Sequence, residues 1–318
     1  MALRFATLIA MVNKTALITH PDCALHALSG HPERPERLTA VIKQLEDSGL
    51  LDELVNCEAS EISREQLERV HPAGFVDAIE SAEVAGGVTR IDADTYLSPG
   101  SNLAARLAAG ACAMAANMVA SGEVNRAFCA TRPPGHHAEL SQAMGFCLYN
   151  NVAVGATTAL ARNDVNKVAI LDFDVHHCNG TVDIFKDNDQ VLVCSSFQKD
   201  FYPYRYLDYA NPHIVITPLA AGTGSDEFKR RIAADWPRAI AAHKPDLIFV
   251  SAGFDAHKDD PVGGLALVTE DYRWITQLIG SLARQYAAGR IVSTLEGGYD
   301  LSALAGGVQA HVEALIES

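Results

Sequence analysis

Residues 172–177 read Asp-Phe-Asp-Val-His-His and directly follow the apolar run Lys-Val-Ala-Ile-Leu of residues 167–171. A short apolar run with β-branched members predicts a buried strand of a parallel sheet. Both faces of such a sheet are covered, so charged side chains belong at strand ends, where ligands of open α/β sheets bind. Asp174 and His176 are two residues apart, so on an extended segment they point the same way and could share one metal ion. A plainer interpretation is a polar junction whose aspartates cap a following helix.

Three further segments place reactive side chains behind strand-like runs. Residues 131–137, Thr-Arg-Pro-Pro-Gly-His-His, hold a histidine pair on a rigid loop. The run that begins at Pro245 ends in Asp255, and the run from Arg290 leads through two glycines to Tyr299. Each segment is weak evidence alone. Four strand ends that carry histidines, carboxylates and a tyrosine together predict one catalytic site.

Two carboxylates and one imidazole would bind a divalent ion and leave coordination positions open, as in a catalytic metal site. Zinc is the first expectation, although a carboxylate-rich set of ligands also suits Fe²⁺, Mn²⁺ or Co²⁺. Such an ion lowers the pKa of water and polarises a carbonyl group. The residue types therefore predict metal-assisted hydrolysis of an amide or a related acyl bond.

The remaining polar residues suit the other parts of this chemistry. His136 and His137 would supply a base for water and an acid for the leaving group, because histidine titrates near neutral pH. Asp172 and Asn179 are candidates to fix the orientation and tautomer of each ring. Tyr299 could donate a hydrogen bond to the developing oxyanion.

These motifs carry a family resemblance. RPPGHH, DFDVHH, SAGFDAH and LEGGYD occur in this order, and residues 31–38, 145–147 and 150–151 match further signatures. Over residues 14–310 the chain resembles the zinc-dependent histone deacetylase family, particularly its class II members and the bacterial histone deacetylase-like amidohydrolases. The resemblance implies a single-domain α/β arginase–deacetylase fold, with a central parallel sheet of about eight strands and helices on both faces.

The resemblance also implies roles for residues of the reaction centre. Asp174, His176 and Asp255 match the zinc ligands, and Tyr299 matches the tyrosine that polarises the scissile carbonyl. The other catalytic positions are His137 as general base and acid, Asn179 as the group that orients it, and His136 with Asp172 as its electrostatic partner.

Further implied residues surround that centre. Gly145 and Phe146, with Tyr202 opposite, would line a narrow tunnel for an acyl-lysine-like chain, and Arg37 would lie buried beneath the site. Val262 falls on the tunnel rim. A structural K⁺ is also typical of the family, near Asp172, Asp174, His176 and Ser195.

Three single residues and one three-residue segment depart from the family pattern. Cys178 replaces a glycine and would be strained if that position needs a positive φ. Phe197 replaces a frequent histidine. Residues 204–206, Tyr-Arg-Tyr, replace Gly-Thr-Gly and would narrow or re-charge the tunnel entrance. Val262 stands where acetylspermidine-selective relatives have glutamate, so the rim favours an uncharged part of the ligand over a polyamine.

The whole chain has the composition of one globular domain, with 318 residues of which 48% are hydrophobic and 20% charged. Helix-like segments alternate with the strands and predict βαβ units; they are residues 101–121, 149–162, 225–243 and 270–288. We assign residues 1–318 to a single catalytic domain, in which residues 1–13 form a loosely attached N-terminal extension.

Charge and cysteine content narrow the partners and the compartment. A net charge of −14 without a basic stripe argues against nucleic-acid binding and favours approach of cationic substrates. Seven cysteines without a Cys-x-x-Cys motif predict reduced thiols, among which Cys147 and Cys178 could be oxidation-sensitive.

Residues 2–12 faintly resemble a signal sequence but lack a convincing cleavage site, and no other stretch approaches membrane-spanning length. We expect a cytoplasmic protein with no membrane association; oligomerisation stays open.

Four functions fit these residues to different degrees. Acyl-lysine in a peptide or protein is the leading substrate class, and small acylated amines, including polyamines, are the alternative. A binuclear manganese ureohydrolase of the same fold would need a second set of metal ligands. A non-catalytic binding homologue would predict loss of a catalytic residue, whereas all of them are present.

Overall fold

Parallel strands form the centre of the computed structural model, which describes residues 14–83 and 86–318. In chain order the strands are β1 (Thr15–Thr19), β2 (Val55–Glu58), β3 (Thr89–Arg90), β4 (Tyr96–Leu97), β5 (Arg126–Cys129), β6 (Val168–Asp172), β7 (Val191–Gln198), β8 (Ile214–Leu219), β9 (Leu247–Ala252) and β10 (Ile291–Leu295). β3 and β4 form a small antiparallel pair. The other eight form one parallel sheet in the order β2-β1-β5-β10-β9-β6-β7-β8, which confirms the predicted sheet.

Helices lie in most of the connections between the strands of this sheet, and one more follows the last strand. They are α1 (Glu36–Asp47), α2 (Arg64–Glu68), α3 (Ala73–Ala82), α4 (Ser101–Ser121), α5 (Asn151–Leu160), α6 (Asn179–Phe185), α7 (Ser225–His243), α8 (Thr269–Tyr286) and α9 (Leu301–Glu317). The predicted bounds of α4 and α7 are confirmed. α5 is shorter than predicted because Asn150 caps its start, accepting a hydrogen bond from Ala153 N at 3.0 Å.

The sheet separates two hydrophobic cores. In β6, Val168 and Ile170 belong to one core and Ala169 and Leu171 to the other, because successive side chains of a strand point to opposite faces. α4 and α5 cover the first face, whereas α1, α7, α8 and α9 cover the second. The prediction of helices on both faces is therefore confirmed.

α4 corrects one expectation from the sequence. This helix has 21 residues and is long and apolar enough to cross a membrane, the one such helix among the described residues. However, 78% of its apolar window is buried inside the protein, where its alanines pack against α5 and the sheet. α4 is therefore a core helix. The proposed N-terminal extension, residues 1–13, lies outside the described residues.

Close packing of α4 gives a test of the fold. A Cβ at Gly110 would lie 1.8 Å from Ser60 O, and a backbone oxygen cannot rotate away. We expect Gly110→Ala to lower the free energy of unfolding by about 1–3 kcal/mol, despite the better helix propensity of alanine. Gly74→Ala in α3 is the matched control, because a Cβ there meets nothing within 4 Å. Thermal melts would contradict this packing if Gly110→Ala melted as high as the parent.

His311 of α9 gives a second test, through pH. Thr276 donates its hydroxyl proton to Tyr272 O at 2.7 Å and so accepts from His311 Nδ1, while Ser293 Oγ lies 2.8 Å from Nε2. Burial lowers the pKa of His311 to about 3. The unfolded chain therefore binds a proton that the folded one does not, and stability is lost as the pH falls from about 6.5 towards 3.

The expected loss from His311 is about 1.4 kcal/mol per pH unit below its unfolded pKa. His311→Gln keeps hydrogen-bonding capacity but does not titrate, so its free energy of unfolding should fall less steeply than that of the parent between about pH 7 and pH 5. Urea denaturation of both proteins at each pH measures the difference, and groups common to both cancel. Equal slopes would show that His311 is not held neutral.

Candidate active site

The four predicted segments follow four neighbouring strands of the sheet. In sheet order these are β5, β10, β9 and β6, so their carboxyl ends lie side by side at one edge. The histidine pair follows β5, the Gly-Gly-Tyr segment follows β10, Asp255 follows β9, and the Asp-Val-His-His segment follows β6. The order of strands in the sheet therefore brings together polar segments that lie more than 100 residues apart in the sequence.

Asp174, His176 and Asp255 form a buried cluster of potential metal ligands. One ligand atom from each lies within 4.8 Å of the others. His176 Nδ1 is 2.9 Å from Asp174 Oδ1 and 3.2 Å from Asp255 Oδ2, so one ring nitrogen faces both carboxylates. Within the described part of the chain, Asp255 Oδ2 is buried and accepts no well-aligned hydrogen bond. An oxygen left in this state is suited to a cation.

Electrostatics and packing show that this cluster fits a divalent ion. Burial, together with the charge of Asp174, raises the pKa of Asp255 to about 7, because two carboxylates share a site away from water. A Cβ at Gly253 would lie 2.0 Å from Asp174 Oδ2, and a Cβ at Gly297 would lie 2.1 Å from Asp255 Oδ2. Both glycines therefore leave the space that the carboxylates need. Two carboxylate oxygens and one imidazole nitrogen suit Zn²⁺, Fe²⁺, Mn²⁺ or Co²⁺.

The histidine pair lies against this cluster, with its two ring centres 4.0 Å apart. His136 Nδ1 is 2.9 Å from Asp172 Oδ2, and His137 Nδ1 is 2.6 Å from Asn179 Oδ1. Both pairings predicted from the sequence are present as geometry. Because the amide oxygen of Asn179 only accepts, His137 Nδ1 carries the hydrogen and Nε2 keeps a lone pair.

Different partners give the two histidines different charges. Burial disfavours the imidazolium at both positions, yet the carboxylates of Asp172 and Asp174 raise the pKa of His136 to about 10. Burial lowers the pKa of His137 well below its usual value, and the positive charges of His136 and His176 lower it further. His136 is therefore the charged ring and His137 the neutral one, which can accept a proton.

Tyr299 is held at the site through its backbone and its ring. Tyr299 N donates to Asp260 Oδ2 at 2.6 Å. Arg37 Nε donates to Gly298 O at 2.6 Å, and the Arg37 guanidinium lies 4.9 Å from the centre of the Tyr299 ring. Gly298 has a φ of +121°, which glycine adopts without strain. Arg37 is fully buried beneath the site, where the resemblance placed it.

A narrow pocket of about 210 Å³ leads to these groups. Its lining comprises Asp94, His137, Gly145, Phe146, His176, Phe201, Tyr202, Val262 and Tyr299. Tyr202 meets His137 edge to face with ring centres 5.2 Å apart, and Phe201 stacks on His176 at 5.3 Å. A Cβ at Gly145 would lie 2.4 Å from the ring of His137, so only glycine fits there. All four residues named for substrate binding line this pocket.

The structure corrects the expectations about two departures. Cys178 has a φ of −75°, so cysteine causes no strain at this position. Burial raises the pKa of the Cys147 and Cys178 thiols well above the usual value, and both are inaccessible, so neither is an oxidation-sensitive surface thiol. Residues 204–206 do not contribute to the lining of the pocket described above. Tyr204 is 69% exposed, and Arg205 pairs with Glu139 instead of re-charging the entrance.

Strand pairing and a hydrogen bond connect residues in the region proposed for K⁺. Asp172 of β6 lies opposite Ser195 of β7 in the strand register, and Ser195 Oγ is 2.9 Å from His177 Nδ1. Phe197, which replaces a frequent histidine of the family, packs against the ring of His177 with ring centres 4.3 Å apart. A monovalent ion near these residues stays a prediction.

Four residues at the site were not named for it from the sequence. Glu296 Oε2 accepts hydrogen bonds from Gly135 N at 2.7 Å and His136 N at 3.1 Å and so fixes the histidine loop. Asp260 fixes Tyr299, while Asp94 and Phe201 line the pocket. Glu296 lies in the LEGGYD motif and Phe201 directly precedes Tyr202, so their positions in the sequence could have indicated both. Asp94 and Asp260 lie in loops that no sequence pattern marks.

Comparisons with known proteins agree with this geometry. The family described as "Histone deacetylase domain" matches residues 31–315. The "Histone deacetylase-like amidohydrolase" of Pseudomonas aeruginosa is 37% identical over 280 residues, which cover 86% of this chain and 73% of that protein. The "Probable deacetylase" of Archaeoglobus fulgidus is 35% identical, and the match covers 90% of this chain and 82% of that protein.

A plant relative and a solved structure extend the comparison. Histone deacetylase 15 of Arabidopsis thaliana is 36% identical over 297 residues, and this chain spans about half (53%) of its length. The crystal structure of the HDA15 HD domain superposes with a TM-score of 0.91 at 35% identity, covering 96% of this chain and 90% of that one. The two chains therefore share the same fold.

The ligand cluster gives a test that needs no substrate. We expect the parent to bind about one divalent ion per chain at this centre, and Asp255→Ala to lose most of it, because one of three ligands is removed. The parent should also melt at a higher temperature with zinc present, since an ion that binds only the folded state stabilises it. Elemental analysis after dialysis, together with melting curves, measures both effects.

Asp259→Asn is the matched control for this test, because it removes a neighbouring carboxylate that is 61% exposed. This variant should keep the ion. Equal metal content in Asp255→Ala and the parent would place the metal elsewhere.

Proposed function

Because the chain belongs to the histone deacetylase family of hydrolytic deacetylases, we propose that it removes acetyl or other acyl groups from lysine side chains of peptides or proteins. The observation that carries this proposal is the pocket. Its aromatic walls, Phe146 and Tyr202, leave a narrow passage that ends at His137, His176 and Tyr299. A linear alkyl chain with a terminal amide has the shape and polarity to fill it.

We propose Zn²⁺ as the ion held by Asp174, His176 and Asp255, with Fe²⁺ and Co²⁺ as alternatives. When bound, the ion would supply Lewis-acid polarisation of the scissile carbonyl and a more acidic water molecule. The buried, incompletely hydrogen-bonded Asp255 Oδ2 supports a cation at this position.

His137 is the proposed general base and then the general acid. Its Nδ1–H is held by Asn179 Oδ1, so Nε2 accepts the proton of the attacking water. The same proton then passes from Nε2 to the departing lysine amine. His136 keeps its positive charge through Asp172 and thereby holds His137 neutral until the proton arrives.

Tyr299 is the proposed donor to the carbonyl oxygen. Tyr299 lines the pocket together with His137 and His176, and in the proposed reaction its phenol donates to the carbonyl oxygen, on which negative charge develops during attack. Burial raises the pKa of Tyr299 well above its usual value, so the hydroxyl keeps its proton and remains a donor.

Small acylated amines are the second candidate substrate class. Asp94 places a carboxylate on the pocket wall, where it could pair with a further ammonium group of a polyamine. Val262 on the same wall is apolar and offers no second carboxylate at the rim. We therefore rank acyl-lysine first. A two-ion ureohydrolase is disfavoured, because one group of three metal-ligating side chains is found in residues 14–83 and 86–318.

We propose a cytoplasmic location. All seven cysteines are free thiols, and six of them are buried. Proteins of oxidising compartments usually pair their cysteines as disulfides, whereas reduced thiols are typical of the cytosol.

Tyr299→Phe tests the proposed function. Loss of the phenolic donor should lower kcat for a fluorogenic acetyl-lysine peptide by about 10²–10³-fold, the usual effect of removing one oxyanion donor. Metal content should not change. Tyr204→Phe, which alters an exposed phenol, is the matched control and should keep the activity of the parent.

Acetylputrescine and acetylspermidine assayed in parallel separate the two substrate classes. Turnover of these amines without turnover of the peptide would favour the second candidate. Full peptide activity in Tyr299→Phe would remove Tyr299 from the mechanism.

A further inference from the structure

We propose that Arg205 is a positioning residue for the general base. Arg205 holds Glu139, Glu139 sets the orientation of the Asn179 amide, and that amide fixes the tautomer of His137. The inference rests on the proposed function for its kinetic meaning, whereas the tautomer itself can be observed without a substrate.

Four side chains form a continuous path from the surface to the base. Arg205 Nη2 lies 2.9 Å from Glu139 Oε2, and Arg205 Nη1 donates to Gln142 Oε1 at 3.0 Å. Asn179 Nδ2 donates to the other oxygen, Glu139 Oε1, at 2.7 Å. Asn179 Oδ1 then accepts from His137 Nδ1 at 2.6 Å. Each contact uses a different atom, so all can exist at once.

Glu139 Oε1 makes the shortest contact that sets the orientation of the Asn179 amide, at 2.7 Å from Nδ2, and His137 O accepts from the same Nδ2 at 3.4 Å. An ionised carboxylate only accepts hydrogen bonds, so it must face the NH₂ group of Asn179. The amide oxygen is then turned towards His137 and accepts only from a protonated Nδ1. If the amide rotated by half a turn, its NH₂ would face Nδ1 and favour the tautomer with hydrogen on Nε2. In that tautomer His137 Nε2 could not accept a proton from water.

Arg205 is needed because Glu139 is buried. The Glu139 side chain is 5% exposed, whereas that of Arg205 is 41% exposed and reaches it from the surface. Burial raises the pKa of Glu139, while the hydrogen bond from Asn179 and the charge of Arg205 oppose this shift. Asp183 and Lys186 face the same carboxylate with opposite effects. The charge of Arg205, 2.9 Å from Glu139 Oε2, therefore favours the ionised, accepting form of Glu139.

The loop that carries Arg205 is anchored at a second point. Tyr206 OH donates to Asp183 Oδ1 at 2.7 Å, and Leu140 N donates to Asp183 Oδ2 at 3.1 Å. Tyr204 and Tyr206 both have a φ of 57°, a left-handed conformation that glycine adopts freely and tyrosine only at a cost. At positions 204 and 206 the resembled family has glycines, which adopt this conformation without strain. Arg205 therefore lies beside an anchored residue, Tyr206, and pairs with Glu139.

Arg205→Met is the test variant, because it keeps an unbranched apolar stem and removes the charge. In the zinc-loaded enzyme we expect kcat for the acetyl-lysine peptide to fall roughly tenfold, the lower end of losses seen when outer hydrogen-bond partners of a site are removed. KM should stay within about twofold, because Arg205 does not line the pocket. Arg205→Lys should recover most of the lost kcat.

Two controls separate positioning from other effects. Lys199→Met removes a cation that is 63% exposed, shortly before Phe201, and should leave both constants unchanged. In a Glu139→Gln background, Arg205→Met should have little further effect, because residues that act through one path are not additive. A rise in KM with unchanged kcat would overturn the proposal and make Arg205 a contact for substrate at the entrance.

The tautomer of His137 provides a readout that does not depend on turnover. In protein labelled with ¹⁵N-histidine and loaded with zinc, we expect His137 to carry its hydrogen on Nδ1, with the signals assigned by comparison with His137→Ala. In Arg205→Met a population with hydrogen on Nε2 should appear. An unchanged tautomer in that variant would overturn the proposal. If the parent hydrolyses no acylated amine, the proposed function fails, and this comparison still decides the role of Arg205.

Discussion

The Asp174 carboxylate is the interaction on which the arrangement of the site depends. Its Oδ1 accepts from His176 N and its Oδ2 accepts from Gly297 N, both at 2.9 Å. Asp255 Oδ1 accepts from Val175 N at 2.9 Å and ties the loop after β9 to the loop after β6. A buried carboxylate requires such partners, because an unpaired charge away from water is strongly disfavoured. The carboxylates of the candidate metal cluster therefore also hold three loops in register.

A second buried carboxylate, that of Glu33, supports the loops of the site. Glu33 lies between Arg132 and Arg37, and although its burial disfavours ionisation, the two arginines lower the pKa of Glu33 to about 2. Arg37 in turn donates to the carbonyl oxygens of Glu296 and Gly298, on either side of Gly297. A buried ion cluster of this kind contributes little net stability compared with apolar packing. Its contribution here is geometric, since it fixes the turn from which Tyr299 projects.

The sequence predicts the strands and site residues that a local pattern marks. It does not predict most contacts between segments that are distant in the chain. Apolar runs that end in polar residues located β5, β6, β9 and β10, and their parallel arrangement then placed the metal-ligating side chains together. The pairings of His136 with Asp172 and of His137 with Asn179 also followed. The partner of Glu296 was not predicted, although the residue lies in the LEGGYD motif, because its contact with Gly135 joins residues 161 apart and leaves no periodic trace. The left-handed residues of the 204–206 loop were missed for a related reason: tyrosine does not mark such a conformation as glycine does.

The tandem histidines show why residue type alone does not assign a role. His136 and His137 are adjacent, equally buried and of the same type, so intrinsic chemistry gives them the same pKa. The carboxylates beside His136 raise its pKa despite burial, whereas burial lowers the pKa of His137, beside which the neutral amide of Asn179 supplies no full negative charge. The charged ring then lowers the pKa of its neighbour, so each histidine contributes to the state of the other. An amide is effective in this position only if its own orientation is fixed. Glu139, which bonds that amide, therefore belongs with the two rings in the proposed acid–base pair.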